Sequence, residues 1–245
     1  MSHHALRRVV EAAAGRFERW QPRGTPMPVP ADQRAALIRA ATQIRRPALA
    51  PEVALFLADE PFALWQRTEE AVGGAALPPP YWAFAWAGGL ALARYVLDQP
   101  ATVAGRSVLD LGAGSGLVAI AAAVAGARRV VANDIDPFAT VAIALNAELN
   151  GVAIDVDGRD LLASEAAEFD VVMAADLFYE REISERILRF LRRVAARGAT
   201  VIIGDLGRRH LPRERLTAVA WYDVPVEAAL EDAPVKRTLV WRLRD

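Results

Sequence analysis

"VLDLGAGSGLVAIAAA", Val108 to Ala123, reads as a buried strand, a turn built on glycine and a helix. Gly112, Gly114 and Gly116 let the backbone turn sharply and come close to a ligand. A dinucleotide fingerprint, G-x-G-x-x-G, needs its third glycine at 117, where Leu117 stands. The spacing here is G-x-G-x-G, and Asp110 precedes it. A carboxylate beside the loop is awkward for a pyrophosphate. It suits a cationic ligand such as the amino group or sulfonium of S-adenosylmethionine (SAM). A dinucleotide site and a plain turn with no ligand are the alternatives, and spacing and acid disagree with both.

Outward from this loop, strands alternate with helices. The pattern predicts strands at 107–111, 129–134, 153–157, 169–175 and 199–204. Helices are expected at 88–98, 116–125, 137–150 and 182–197. Such alternation means a mostly parallel sheet covered on both faces. The tail differs: 217–224 and 236–243 ("KRTLVWRL") read as two strands with no full helix between them. A hairpin there makes one strand antiparallel, an unusual ending for a nucleotide-binding sheet. Upstream, 5–20 and 31–45 have helical spacing, the second through Ala36, Leu37, Ala40 and Ile44, with "QPRGTPMPVP" between them. "EVALFLADEPFALW" is expected to be a strand or hairpin, and "GGAALPPPYWAFAWAGG" a linker.

The second strand brings another acid. In "ANDIDPFAT", Asp136-Pro137 suits a helix start, with Asp as N-cap and Pro at the first helical position. That leaves Asp134 free of capping duty at a strand tip, where a carboxylate accepts both hydroxyls of a ribose. A solvated turn acid is the plain alternative. After the third strand, "GRDLL" offers Asp160 to an adenine amino group and Leu161 to the ring face.

Composition bounds these readings. The 245 residues are 53% hydrophobic, enough for one large α/β domain or a domain with an appendage. The apolar runs are broken well before 18 residues, so neither a membrane span nor a secretory signal is expected. A net charge of −1 does not suggest a dedicated nucleic-acid binder. The absence of Cys excludes disulfides, iron–sulfur clusters, thiolate zinc and a Cys nucleophile. Three His (His3, His4 and His210) make no metal cage, and no metal is expected. A single Lys, Lys236, among 29 basic residues suggests a GC-rich bacterial gene.

The fourth strand, "FDVVMAADLFYE", ends on Asp176 with Phe178 and Tyr179 after it. Next to the first strand, it opens onto the same crevice as the glycine loop. Asp176 can accept hydrogen bonds from an amine and aim its lone pair. Tyr179 and Phe178 can wall an alkyl channel and tolerate a methylated ammonium by cation–π contact. Structurally, Asp176 could instead cap the helix beginning near Glu182. Of two tryptophans at i and i+4, Trp82 suits the core, while Trp86 is balanced between core and site. "RRHLPRER", Arg208 to Arg215, reads as a solvated face or a dock for an acidic protein surface.

Asp110 to Gly116, Asp134 and the final hairpin together resemble the class I, seven-strand SAM-dependent methyltransferases. "PPYWAFAWAGGLALARYVLD", "ANDIDP", "DLFYE" and "GDLGR" resemble more closely the electron transfer flavoprotein β-subunit lysine methyltransferases. The resemblance covers roughly residues 50–210, and its most specific element is D-x-F-Y, Asp176 to Tyr179. Ala87 and Leu206 stand where that family often carries Pro. The resemblance implies a doubly wound, Rossmann-like α/β fold with a C-terminal antiparallel hairpin strand. Residues 1–76 are then a helical and extended cap for substrate recognition, and 77–245 the methyltransferase domain. It places Trp86 beside SAM, Asp134 on the ribose, and Asp176 and Tyr179 facing a substrate lysine. With the residues read above, the cofactor set is Trp86, Asp110, Gly112, Gly114, Gly116, Asp134, Ile135, Asp160 and Leu161. The expected partner is the electron transfer flavoprotein β subunit. Another protein such as a ribosomal protein is the alternative, and a nucleotide-binding module without catalysis or a dehydrogenase comes next. The enzyme is expected to be a cytoplasmic monomer that engages neither nucleic acid nor membrane.

Overall fold

The computed structural model of the chain describes residues 29–59, 64, 65, 69, 79–164, 169–225 and 234–244. The helix expected at 5–20, His3, His4 and the 76/77 boundary lie outside these residues. Seven strands form the main sheet: β3 (Ser107–Leu111), β4 (Arg129–Asn133), β5 (Asp155–Asp157), β6 (Val171–Ala175), β7 (Thr200–Asp205), β8 (Leu216–Pro225) and β9 (Val235–Leu243). Their order is β5-β4-β3-β6-β7-β9-β8. β5 to β7 run parallel, and β9 is antiparallel to both of its neighbours. The reversed tail strand is therefore present as expected.

Strand alternation splits the core between the two faces. Val108, Val130, Val171 and Ile202 face one way, against α2 (Ala87–Asp98) and α3 (Leu117–Val124). Leu109, Val131, Val172 and Val201 face the other, against α5 (Arg181–Ala196). α3 is apolar throughout, and Leu117 to Ala122 are all buried. α5 instead carries its arginines outward and buries Ile187, Phe190, Leu191 and Val194, a stripe at i, i+3, i+4 and i+7.

α1 (Ala31–Ala41) ends four residues before the expected bound, because β1 (Gln43–Arg45) pairs antiparallel with β2 (Leu55–Leu57). Ile44, expected on the helical face, lies in β1 and is exposed. Ala36 and Ala40 are exposed as well, and Ile38 is the buried residue of α1. A burial stripe through Ala35, Ile38 and Ala41 packs toward Phe138, Ala142 and Leu145 of α4 (Pro137–Leu149). Periodicity alone could not separate these two stripes, since alanine fits either face.

Two amides of this region do the work of a missing strand. Asn146 accepts from the Phe56 N–H at 2.8 Å and donates to the Ser115 carbonyl at 2.8 Å. One turn on, Asn150 accepts from the Ala54 N–H at 2.8 Å and donates to the Ala54 carbonyl at 2.6 Å. β2 is thereby tied through α4 to the glycine loop. Replacing fully buried Asn146 by Ala orphans the Phe56 N–H and the Ser115 carbonyl. Denaturant unfolding should show a loss of roughly 1–3 kcal/mol for each of the two groups left unpaired.

Candidate active site

At the C-terminal edge of the sheet, β3 leads out to β4 and β5 before the chain returns to β6 on its other side. This reversal leaves a crevice between the ends of β3 and β6, the place where open α/β sheets bind ligands. Gly112, Gly114 and Gly116 all have positive φ, at 64°, 53° and 80°, and Gly116 is the left-handed N-cap of α3. The loop therefore needs glycine at each of these positions.

Three acids gather under and beside the loop. Asp110 is buried and accepts from the Ala119 N–H at 2.9 Å, binding the end of β3 to the first turn of α3. Burial, opposed by that N–H and reinforced by Asp134, pushes its carboxyl up to about 7. Asp136 caps α4 through the Phe138 N–H at 2.8 Å, as expected, and burial raises it to about 7. Asp134 is not free of local duty: it accepts from the Gly114 N–H at 2.8 Å and the Asp136 N–H at 3.0 Å. Burial raises its pKa against those two bonds. Such a concentration of desolvated carboxylates favours a ligand that brings hydroxyl donors and a positive charge, and disfavours a phosphate. The residues thus fit SAM.

The other residues expected to touch the cofactor fall along the same edge. Ile135 is 67% exposed at the tip beyond β4, an apolar face without protein cover. Asp160 lies beyond β5, caps a short turn at Leu162 N–H and pairs with Arg186 at 2.7 Å. Leu161 beside it is half-buried. Trp82 is in the core as expected, 2% exposed and stacked on Phe138. Trp86 is half-buried at the N-cap of α2, its indole N–H donating to the Tyr81 carbonyl at 2.8 Å.

Asp176 is far from the exposed strand-end acid that the sequence suggests. Its side chain is 9% exposed, and its φ of 56° is the one positive value outside glycine among the described residues. One oxygen, Oδ2, accepts from the Gly89 N–H at 2.9 Å, in the first turn of α2. No side chain of that helix's own N-terminus caps it, so Asp176 does so from across the sheet. The helix it caps is therefore α2, which begins 89 residues earlier, and not the one near Glu182. Gly88 and Gly204 let the helix come this close: a Cβ on either would overlap the other's carbonyl. The second oxygen, Oδ1, faces Arg208 Nη2 at 3.4 Å. Burial pushes the carboxyl up to about 6, with Arg208 pulling it down and Asp205 pushing it up.

A run of aromatic rings leads to Arg208, the cation that faces this acid. Tyr179, half-exposed, lies with its ring centroid 6.0 Å from Tyr81, which lies 5.9 Å from Trp86. The Arg208 guanidinium sits 6.0 Å above Trp86. Phe178, expected as a wall of the channel, is instead fully buried beneath the sheet with Phe190 and Leu191. Both lie in the loop after β6, where Phe178 turns into the core and Tyr179 turns out. Sequence reading missed Tyr81 and Arg208 as site residues. Arg208 belongs to the run read as a solvated face or a protein dock, although Gly207 before it, just past the end of β7, marks a strand-end turn.

The family model for ribosomal protein L11 methyltransferase (PrmA) matches residues 91–209. The electron transfer flavoprotein beta subunit lysine methyltransferase of Danio rerio is 38% identical over 200 residues, 79% of this chain and 76% of its own. That of Mus musculus is 40% identical over 168 residues, 66% of each chain. The chain belongs to this family of SAM-dependent lysine methyltransferases. Among solved structures, a ribosomal protein L11 methylase from Lactobacillus delbrueckii subsp. bulgaricus aligns at 24% identity, with a TM-score of 0.44. It covers 63% of this chain and 77% of that one.

Two measurements probe the acids of this methyltransferase. Asp176→Asn keeps an acceptor for Gly89 and a residue that tolerates positive φ, while Asp176→Ala keeps neither. Both are neutral, so their difference isolates cap and backbone, and Ala should be less stable than Asn by about 1–2 kcal/mol in denaturant unfolding. Asp110, raised above its unfolded value, withdraws stability as pH climbs from about 4 to about 7. Asp110→Asn should therefore melt higher than wild type at pH 8, with the gain vanishing near pH 4.

Proposed function

We propose that this chain methylates lysine side chains of a protein, with the electron transfer flavoprotein β subunit as the substrate. The observation that carries the reading is the buried carboxylate of Asp176, facing an Arg208 that lies over Trp86 in a run of rings with Tyr81 and Tyr179, at the crevice that also holds the glycine loop. The names of the relatives support the substrate. SAM, when bound, supplies a methyl group on a cationic sulfur.

The glycine loop and Asp110 would hold the cationic end of that group, Asp134 its ribose, and Ile135, Asp160 and Leu161 its adenine side. On the substrate side, a lysine has a pKa near 10.4, so presenting it neutral at pH 7 costs about 4–5 kcal/mol. Desolvation between the rings favours the neutral amine. Asp176 Oδ1 can accept an N–H of the lysine nitrogen and so direct its lone pair, since Oδ2 is held still by Gly89. Tyr179, Tyr81 and Trp86 give the alkyl stem an apolar wall and the nitrogen a π face.

A second protein substrate, of the ribosomal class, is favoured by the match over residues 91–209 alone. Incubation with labelled SAM and purified candidates, then mass spectrometry of the labelled band, separates the two. SAM binding without transfer to any protein would leave a binding module. In single-turnover assays Asp176→Ala should lose around 100-fold in rate, with Asn between it and wild type. Wild-type kcat/KM should fall below about pH 6 as Asp176 takes up a proton, and Asp176→Asn should lack that limb. Calorimetry should show Asp134→Ala weakening S-adenosylhomocysteine by roughly 1.5–3 kcal/mol through loss of bonds to a charged acceptor. NAD bound more tightly than SAM would overturn the cofactor assignment.

A further inference from the structure

Arg208 uses the groups that a substrate amine needs. Asp176 Oδ2 is committed to Gly89, so Oδ1 is the oxygen left for a ligand, and Arg208 Nη2 stands 3.4 Å from it. A well-made charge-assisted bond is about 2.7–2.9 Å long. The guanidinium lies 6.0 Å from the Trp86 ring, at the outer reach of a cation–π contact. Its Nε is buried with no hydrogen-bond partner. An arginine kept for structure against so buried a carboxylate would be expected to fork onto it with two bonds. This one holds the place without fitting it.

We propose that Arg208 is the resting occupant of the lysine site: its guanidinium holds the position on Asp176 and Trp86 that the substrate nitrogen takes, and withdraws when substrate enters. The proposal rests on the lysine reading above. The backbone is built for such a movement of the side chain alone. Asp205 Oδ1 accepts from the Gly207 and Arg208 N–H groups at 2.6 and 2.7 Å, and Arg213 donates to the Gly207 carbonyl at 2.8 Å. The main chain at 207–208 is thus held from both sides, while the Arg208 side chain is 25% exposed and has a way out. Two cations cannot share Oδ1 in a desolvated pocket, so entry of one goes with exit of the other. In the resting state the guanidinium also keeps Asp176 ionised against its burial, beside the buried Asp205. Arriving substrate then meets a carboxylate already charged.

The test empties the place and asks whether a lysine mimic binds better. Arg208→Ala and the bulkier Arg208→Gln, with Arg209→Gln as a control of equal charge change on an exposed neighbour, are titrated without cofactor at about pH 9, high enough to hold Asp176 ionised once Arg208 is gone while an alkylammonium keeps its charge. The probe is n-butylammonium, followed by saturation-transfer NMR. Both Arg208 variants should bind it about tenfold more tightly than wild type, the factor by which a place nine-tenths occupied lowers apparent affinity. Arg209→Gln should not, and guanidinium chloride should displace the probe from Arg208→Ala. Circular dichroism and S-adenosylhomocysteine affinity confirm that each variant is folded. Equal or weaker binding in both Arg208 variants, or an equal gain in Arg209→Gln, overturns the proposal and leaves Arg208 as a fixed positioning residue for Asp176. Methylation of lysine by wild type is measured separately. If it occurs without a gain in the Arg208 variants, only this proposal fails. If it is absent, the lysine reading fails, and the n-butylammonium titration still decides whether Arg208 occupies a cation site.

Discussion

The carboxylate of Asp176 on the N–H of Gly89 is the bond from which the site is organised. It joins the end of β6 to the first turn of α2, residues 87 positions apart in sequence. The join is possible because Gly88 and Gly204 carry no side chains and let the helix rest directly on the end of β7. With α2 seated there, Trp86 at its N-cap is brought over Arg208 and beside Tyr81. Asp176 adopts a left-handed backbone to reach the helix, a conformation that ordinary side chains resist by about 1–2 kcal/mol. Its orientation is over-determined: one oxygen is fixed by the fold, and the other is turned toward the crevice.

The cofactor side obeys a similar economy. Asp110 and Asp134 each make a structural bond, to Ala119 and Gly114, at the glycine loop. Their burial costs stability as long as they are charged and unmatched. A ligand that brings positive charge and hydroxyl donors relieves that cost, so affinity and stability draw on the same atoms. The N-terminal hairpin takes part indirectly, since Asn146 ties β2 to Ser115 within the loop.

The alternation of strands and helices, the reversed tail strand, the Asp136-Pro137 cap and the glycine turn were all legible in the sequence. Each rests on local chemistry: period-two and period-3.6 burial, proline's fixed φ, glycine's freedom at positive φ. The residues brought to one edge were legible too, because parallel strands deliver their C-terminal ends together. Individual side chains were harder. Phe178 and Tyr179 are neighbours in sequence, yet one is core and the other lines the crevice. Ile44 continued a helical spacing but belongs to a strand, because β2 offered its backbone a partner.

What the sequence by itself determined is the alternation of strands and helices, the reversed tail strand and the glycine turn, because these follow from patterns spanning a few residues. What only the tertiary structure decided is the partner of each acid. Asp176 caps a helix far upstream, Asp134 holds the glycine loop, Asp160 meets Arg186, and Arg208 leaves a basic run to face Asp176. Hydrogen bonds and ion pairs of this kind depend on distances of a fraction of an ångström between segments remote in the chain. No local pattern encodes such distances; they are set when the core packs.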